Sequence, residues 1–410
     1  MKLNTPALGI RANWLQKWIP ISLILLIATG LYLYQLGTES LWYDELFSIN
    51  KTQSGISLPP KNLTRPFYFM ILYIWMQFST STVWLRGLSV IFGLGSIFLI
   101  YVLGRRLAGK PVGLIAALLL TLSPLFINHA QEVRMYTLIP FLSLGGTLAL
   151  AHALENPRFA AINWWAVARF LALVTTPVSV TLFLPDLVLI TWQFRNQKRR
   201  LFAFGIRLLL IGSCWLPLVS AVNESSTKFL KGWVTQYPKP NIILIVSEVT
   251  HLTAFWPLRH LLGSGISAND LMKQLNQQSI MEWLVEHVLT SNLVPLLYYM
   301  AYTAMAIGLL AIALLSRHPS TKLWWMKVWA LLPAGSILLI SYVSSSIWKA
   351  RYLIFVSPYF LILLAAGLMQ VWRWQRRVAV LVTLIYAIAV GSGLVHYYTT
   401  LYRIAGGAPT

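Results

Sequence analysis

From residue 19 to residue 397 the chain returns repeatedly to apolar runs of about the length of a bilayer crossing, many of them apolar on every face. A helix packed in a soluble protein keeps a polar stripe, and a half-buried strand alternates; these runs do neither. Backbone in hydrocarbon must satisfy its own hydrogen bonds, so such runs are helices. Eleven spans are expected, at 19–36, 87–103, 112–127, 135–154, 160–175, 178–194, 201–222, 293–315, 323–342, 352–372 and 378–397. With 57% hydrophobic and only 10% charged residues in 410, the fold class is an all-α polytopic membrane protein, read as one domain over 1–410.

Charge sets the expected topology. The first span is longer than a signal-peptide core and lacks a small-residue cleavage site, so it is expected to stay as an anchor. Lys2, Arg11 and Lys17 precede it, which places the N-terminus in the cytoplasm. The even-numbered connections are then cytoplasmic, and they carry the compact basic clusters: Arg105, Arg106 and Lys110; Arg158; Arg195, Lys198, Arg199 and Arg200; Arg317, Lys322 and Lys327; Arg373, Arg376 and Arg377. This holds only if the proline-led apolar run 66–78 does not cross. It is too short to do so unaided, and is read as a helix on the outer membrane surface within a first extracytoplasmic loop, 37–85. A second outer loop is long, 223–292, and the stretch 241–256 within it is read either way.

In a soluble domain 32 basic against 11 acidic residues would suggest nucleic acid; here no basic aromatic patch stands apart from the spans, and the excess serves topology and contact with membrane lipids. One cysteine, Cys214, excludes an intrachain disulfide and a cysteine-based zinc cluster. Nine of the eleven acids fall on the outer side: Glu39, Asp44, Glu45, Glu132, Glu224, Glu248, Asp270, Glu282 and Glu286. That fits an acidic outer cleft or the ordinary depletion of acids from short cytoplasmic loops. Asp44 and Glu45 stand together where the first span meets water; Asp186 falls inside a span, where a carboxylate is costly.

Sequence order adds a resemblance. The chain runs Asp44-Glu45, Thr64-Arg65-Pro66-Phe67-Tyr68, Arg86-Gly87-Leu88-Ser89, Gly104-Arg105-Arg106, Gln131-Glu132-Val133-Arg134-Met135-Tyr136, and later Arg351-Tyr352-Leu353 with Pro358. It resembles the integral-membrane glycosyltransferases of the C-type fold, in the group of the protein O-mannosyltransferases and the aminoarabinose transferases of lipid A (glycosyltransferase family 39-like). The match is densest over residues 15 to 155 and returns near Arg351. Two positions depart: Arg65-Pro66-Phe67 stands where relatives carry His-Pro-Pro or Lys-Pro-Pro, and Thr175-Thr176-Pro177 where many have a histidine. About a dozen residues follow the last span, unlike the soluble domain of large oligosaccharyltransferases.

The resemblance implies transfer of a sugar from a polyprenyl-phosphate donor to an extracytoplasmic acceptor (lipid, glycan or protein), and no Gly-rich phosphate loop points to a nucleotide sugar. An acceptor hydroxyl or amine needs a base, for which Asp44 is the candidate. One base without a second carboxylate as nucleophile implies inversion. Arg65, Arg134 and Arg351 lie at the outer boundary and are candidates for the donor phosphate. Glu45 and Glu132 are candidates to orient an arginine, bind sugar or hold a divalent metal; no cofactor is certain. Each residue also has a simpler role: Asp44 as a helix cap, Glu132 as a partner of Arg134, the arginines as headgroup anchors. Two other functions fit the composition, a transporter or flippase of lipid-linked sugars and a non-catalytic scaffold of the same fold. The first predicts repeated halves, and no convincing repeat is seen.

Overall fold

The computed structural model describes residues 7–53, 65–234, 239–253, 293–315, 320, 322–344 and 346–398. All regular structure among them is helical: α1 (Ala7–Leu33), α2 (Tyr43–Gln53), α3 (Pro66–Met76), α4 (Thr82–Ala108), α5 (Lys110–Thr121), α6 (Pro124–Ala130), α7 (Leu138–Glu155), α8 (Phe159–Thr175), a 3-10 turn (Pro177–Leu182) leading into α9 (Phe183–Phe194), α10 (Lys198–Val234), α11 (Ile242–Leu252), α12 (Leu293–Leu315), α13 (Leu323–Val343), α14 (Ala350–Leu353), α15 (Ser357–Trp374) and α16 (Arg376–His396). Residues 254–292, the larger part of the expected outer loop with Asp270, Glu282 and Glu286, lie outside the described residues, as do 54–64 of the first loop.

Every expected span falls on a helix. Five have the length and apolarity to cross a bilayer alone: α4, α7, Pro177–Phe194, Lys198–Pro217 of α10, and α13. The pair α5 and α6 forms a sixth, bent by 59°. The bend sits at Pro124, whose ring opens α6 and cannot donate to the turn before it. Trp18–Leu33, Phe159–Thr175 and Met300–Leu315 are shorter apolar helices. α3 and α11 have 11 residues each, about 16 Å, which is half the hydrocarbon thickness. Three boundaries differ from expectation. The span expected from residue 135 becomes helical only at Leu138, the one expected from 352 is interrupted between Leu353 and Ser357, and α10 continues past 222 to Val234. In the first case the preceding backbone is held in the candidate site described below.

Close helix contact organises both ends of α4. Gly109, at φ +101°, turns the chain from α4 into α5, and a Cβ on Gly113 would meet the Tyr101 carbonyl at 2.6 Å and the Arg105 amide nitrogen at 2.7 Å. Small residues of this kind let membrane helices approach backbone to backbone. α3 is fastened to the start of α4 by Trp75 and Trp84, stacked at 4.3 Å, each indole N–H donating to the other's carbonyl at 2.7 and 3.0 Å.

Deeper in the bundle, Asp186 is fully buried and fully engaged. Arg169 donates to it from Nε (2.6 Å) and Nη2 (3.1 Å), Trp165 and Trp329 donate indole N–H at 2.7 and 2.9 Å, and Arg169 also reaches the Ser143 carbonyl and Thr147 Oγ1. Thr147 in turn bonds Tyr359 at 2.7 Å. A charge in hydrocarbon is tolerated when paired and hydrogen-bonded in this way. The network ties α7, α8, α9, α13 and α15 into one body.

Candidate active site

The first turn of α2 carries Asp44 and Glu45, which suits the positive end of the helix dipole. Successive helical residues point about 100° apart, so the two acids face different surroundings. Glu45 points inward and is fully buried. Its Oε1 accepts from Arg86 Nε (3.0 Å) and the Val133 amide (2.8 Å), and its Oε2 from Arg86 Nη2 (2.9 Å) and the Trp42 amide (3.2 Å). Arg86 spends its remaining donors on the carbonyls of Leu36, Glu39 and Ser40. One ion pair thus closes α2, the end of the first span, α4 and the 131–137 segment on one another.

Asp44 lies on the other side, its side chain 21% exposed, with Oδ2 3.4 Å from Arg134 Nη2. Arg134 also donates from Nη1 to the Asp44 carbonyl and to Ser48 Oγ, both at 3.2 Å. Its guanidinium lies 5.6 Å from the ring centre of Tyr136. Burial opposes its charge, but Tyr136 and Asp44 outweigh that and hold its pKa above the usual value.

The irregular segment carrying Arg134 is buried, so its backbone needs partners. Side chains of α4 supply them: Ser89 Oγ donates to the carbonyls of Glu132 (2.5 Å) and Arg134 (3.2 Å), and Thr137 Oγ1 returns a bond to the Ser89 carbonyl at 2.9 Å. Gln131 donates to the carbonyls of Tyr32 and Tyr34 at the end of the first span.

Arg65, half-buried at the start of α3, is in the electrostatic field of Arg134, Tyr136, Tyr352 and Asp44. Burial and then Arg134 push its pKa down. Lys51, in the last turn of α2, is lowered by burial and then by Arg65. Two arginines therefore act on one accessible carboxylate, with Lys51 in the field of the second, an arrangement with a net demand for negative charge.

The remaining candidates are placed differently. Glu132 accepts from Asn128 Nδ2 at 2.8 Å and pairs with His129 Nδ1 at 3.1 Å, rather than with Arg134 two residues on. Arg351 lies over its neighbour's ring, 5.0 Å from the Tyr352 centroid. That tyrosine is within the electrostatic field of Arg65, which links the α14 segment to the candidate site. Among the described residues no three His, Cys, Asp or Glu side chains come together as a metal site. Glu45 and Glu132 each use both oxygens on protein donors.

Sequence reasoning assigned no role to Arg86, Ser48, Lys51, Tyr68 or Tyr352, which the structure links to the predicted residues by hydrogen bonds or electrostatics. For Arg86 a signal existed: a lone charge in the first turns of an otherwise apolar helix needs a partner. Its partner is 41 positions away in sequence, and no spacing announces that.

No protein-family model and no curated protein matches the sequence. Solved structures do match. ArnT from Cupriavidus metallidurans bound to undecaprenyl phosphate aligns with TM-score 0.53 and 17% identity, over 86% of this chain and 60% of that one. The same protein in the apo state aligns with TM-score 0.51 and 16% identity, over 87% and 60%. A weaker likeness, TM-score 0.46 at 13% identity over 90% of this chain and 51% of the other, is to the Archaeoglobus fulgidus oligosaccharyltransferase in complex with zinc and sulfate. The chain thus spans about 60% of the length of the ArnT structures, and the likeness is one of fold. The chain is an integral membrane protein of the C-type glycosyltransferase fold.

Proposed function

We propose that this protein transfers a sugar from a polyprenyl-phosphate donor to an extracytoplasmic acceptor, with inversion at the anomeric carbon. The observation that carries the reading is the pairing of Asp44, the accessible carboxylate, with Arg134 inside a field shared with Arg65 and Lys51. An acceptor hydroxyl attacks the anomeric carbon; the carbon–oxygen bond to phosphate breaks, its electron pair leaves with the lipid phosphate, and Asp44 takes the acceptor proton. The leaving phosphate gains charge as the bond breaks, and Arg65, Arg134 and Arg351 are assigned to it. One such contact, strongest in the transition state, contributes about 3 kcal/mol. Support for the lipid phosphate comes from the ArnT structure that contains undecaprenyl phosphate.

Glu45, with every oxygen bonded inside the protein, is assigned the positioning of α2, and Glu132 that of the 128–134 turn. The basic clusters orient the N-terminus to the cytoplasm and the site to the outside. The first loop, 37–85, then brings the base, and acceptor choice is assigned to the second, 223–292.

Asp44→Asn in the purified full-length protein tests the reading, using polyprenyl-phosphate sugars and extracted envelope acceptors. Turnover is expected to fall about 10²- to 10⁴-fold with unfolding temperature unchanged, and the wild-type product is expected to carry inverted anomeric configuration by NMR. Undiminished transfer by the variant removes Asp44 as the base. Wild-type movement of lipid-linked sugar across vesicles without transfer would favour the flippase.

A further inference from the structure

One polar group in the site has no assigned task. Tyr68, in the first turn of α3, is 2% exposed, and its hydroxyl has no hydrogen-bond partner among the described residues. Arg134 Nε is in the same condition. Arg134 and Tyr68 act on one another electrostatically, Tyr68 also lies in the field of Glu45, Arg65 and Glu132, and α3 packs on α2, whose Asp44 carbonyl and Ser48 hydroxyl accept from Arg134. A buried O–H without a partner forfeits its solvation, a cost that persists in a native site when the group is kept for a ligand.

We infer that Tyr68 is a further substrate-binding residue whose hydroxyl, beside Arg134 Nε–H, donates to an oxygen of the lipid phosphate. The reasoning rests on the function proposed above, and adds the residue that completes the anion site. Charge selects phosphate over a sugar hydroxyl: Tyr68 lies in the field of two guanidiniums, Arg134 and Arg65, and its own proton is held tightly by burial. A tyrosine in that state donates to an anion and does not act as a base. Its contribution also differs from that of the arginines. A neutral donor adds no repulsion to a crowded set of cations, and its bond strengthens as the phosphate gains charge on leaving.

The test uses the full-length protein in detergent with two probes, undecaprenyl phosphate and undecaprenol, which share a chain and differ in the phosphate. Tyr68→Phe is expected to weaken binding of the phosphate about 10- to 100-fold while leaving the alcohol unchanged. Its lipid-free unfolding temperature should stay equal to or above that of the wild type, because the removed hydroxyl bonds nothing among the described residues. Tyr73→Phe, an exposed tyrosine of the same helix, should behave as wild type. An unchanged preference for phosphate, an equal loss for both probes, or a lipid-free protein destabilised by several degrees each overturns the inference. A wild type that does not prefer phosphate to alcohol overturns the parent reading and this one with it, and so is distinguishable from a failure of Tyr68 alone.

Discussion

Glu45 grips Arg86 through two parallel hydrogen bonds, 3.0 Å from Nε to Oε1 and 2.9 Å from Nη2 to Oε2, with both side chains buried. Because Glu45 is adjacent to Asp44, this bridge also sets where the accessible carboxylate stands. Breaking it from one side leaves an uncompensated buried charge. Glu45→Gln and Arg86→Met are each expected to cost roughly 3–5 kcal/mol of stability, and the double substitution less than the sum of the two. Thermal unfolding of the four proteins in one detergent measures the coupling.

Arg134 uses the planar fork of its guanidinium: two nitrogens engage Asp44 and Ser48, and Nε is left for a ligand. A lysine keeps the charge but not the fork. Arg134→Lys should therefore fold and still lower kcat/KM by about 10²-fold, comparable to loss of one preorganised donor. Steady-state kinetics beside a lipid-binding assay will read both; full activity in the lysine variant would reduce Arg134 to a point charge.

Asp186 and Arg169 form the second buried pair, remote in role from the outer site. Asp186→Asn leaves Arg169 charged and unpaired, with an expected loss of roughly 3–5 kcal/mol. Gly146→Ala should damage the same network, since its Cβ would stand 2.8 Å from Arg169 Nη1. Both effects are predicted in unfolding temperature and expression level, with kcat per folded molecule nearly unchanged.

Acid should loosen the join between α11 and α14. Burial pushes Glu248 up, but His251, Lys349 and the Ala350 amide, which donates at 2.6 Å, outweigh it and hold its pKa below the ordinary 4.5. A carboxyl lowered on folding stabilises fully above its unfolded value, and that contribution is lost as pH falls through the folded value. Unfolding temperature followed from about pH 6 to about pH 3 should therefore fall more steeply in the wild type than in Glu248→Gln. Equal slopes would exclude this contact as the cause.

Much of the architecture was legible in the order of residues. Apolar runs located the helices, because lipid leaves a backbone no alternative to internal hydrogen bonding. Proline-led 66–78 reads as too short to span, and the structure ends that helix at Met76. The boundaries near 135 and 352 were not legible: residues there are apolar enough for a helix, and tertiary bonds from Ser89 and Thr137 pull the first of them out of it. The motif Gln131 to Tyr136 marked a site, but Glu132 turned toward Asn128 and His129, a choice no spacing rule makes.

By itself the sequence determined class, helix positions and the charge asymmetry that favours one topology, since hydropathy and charge act locally and need no partner to be read. Only the tertiary structure decided which member of Asp44-Glu45 is accessible. That choice depends on Arg86, 41 positions beyond Glu45, arriving with a guanidinium whose geometry fits one carboxylate and leaves the other to face Arg134. Buried charge is governed by pairing across the fold, and pairing at that distance is written in three dimensions.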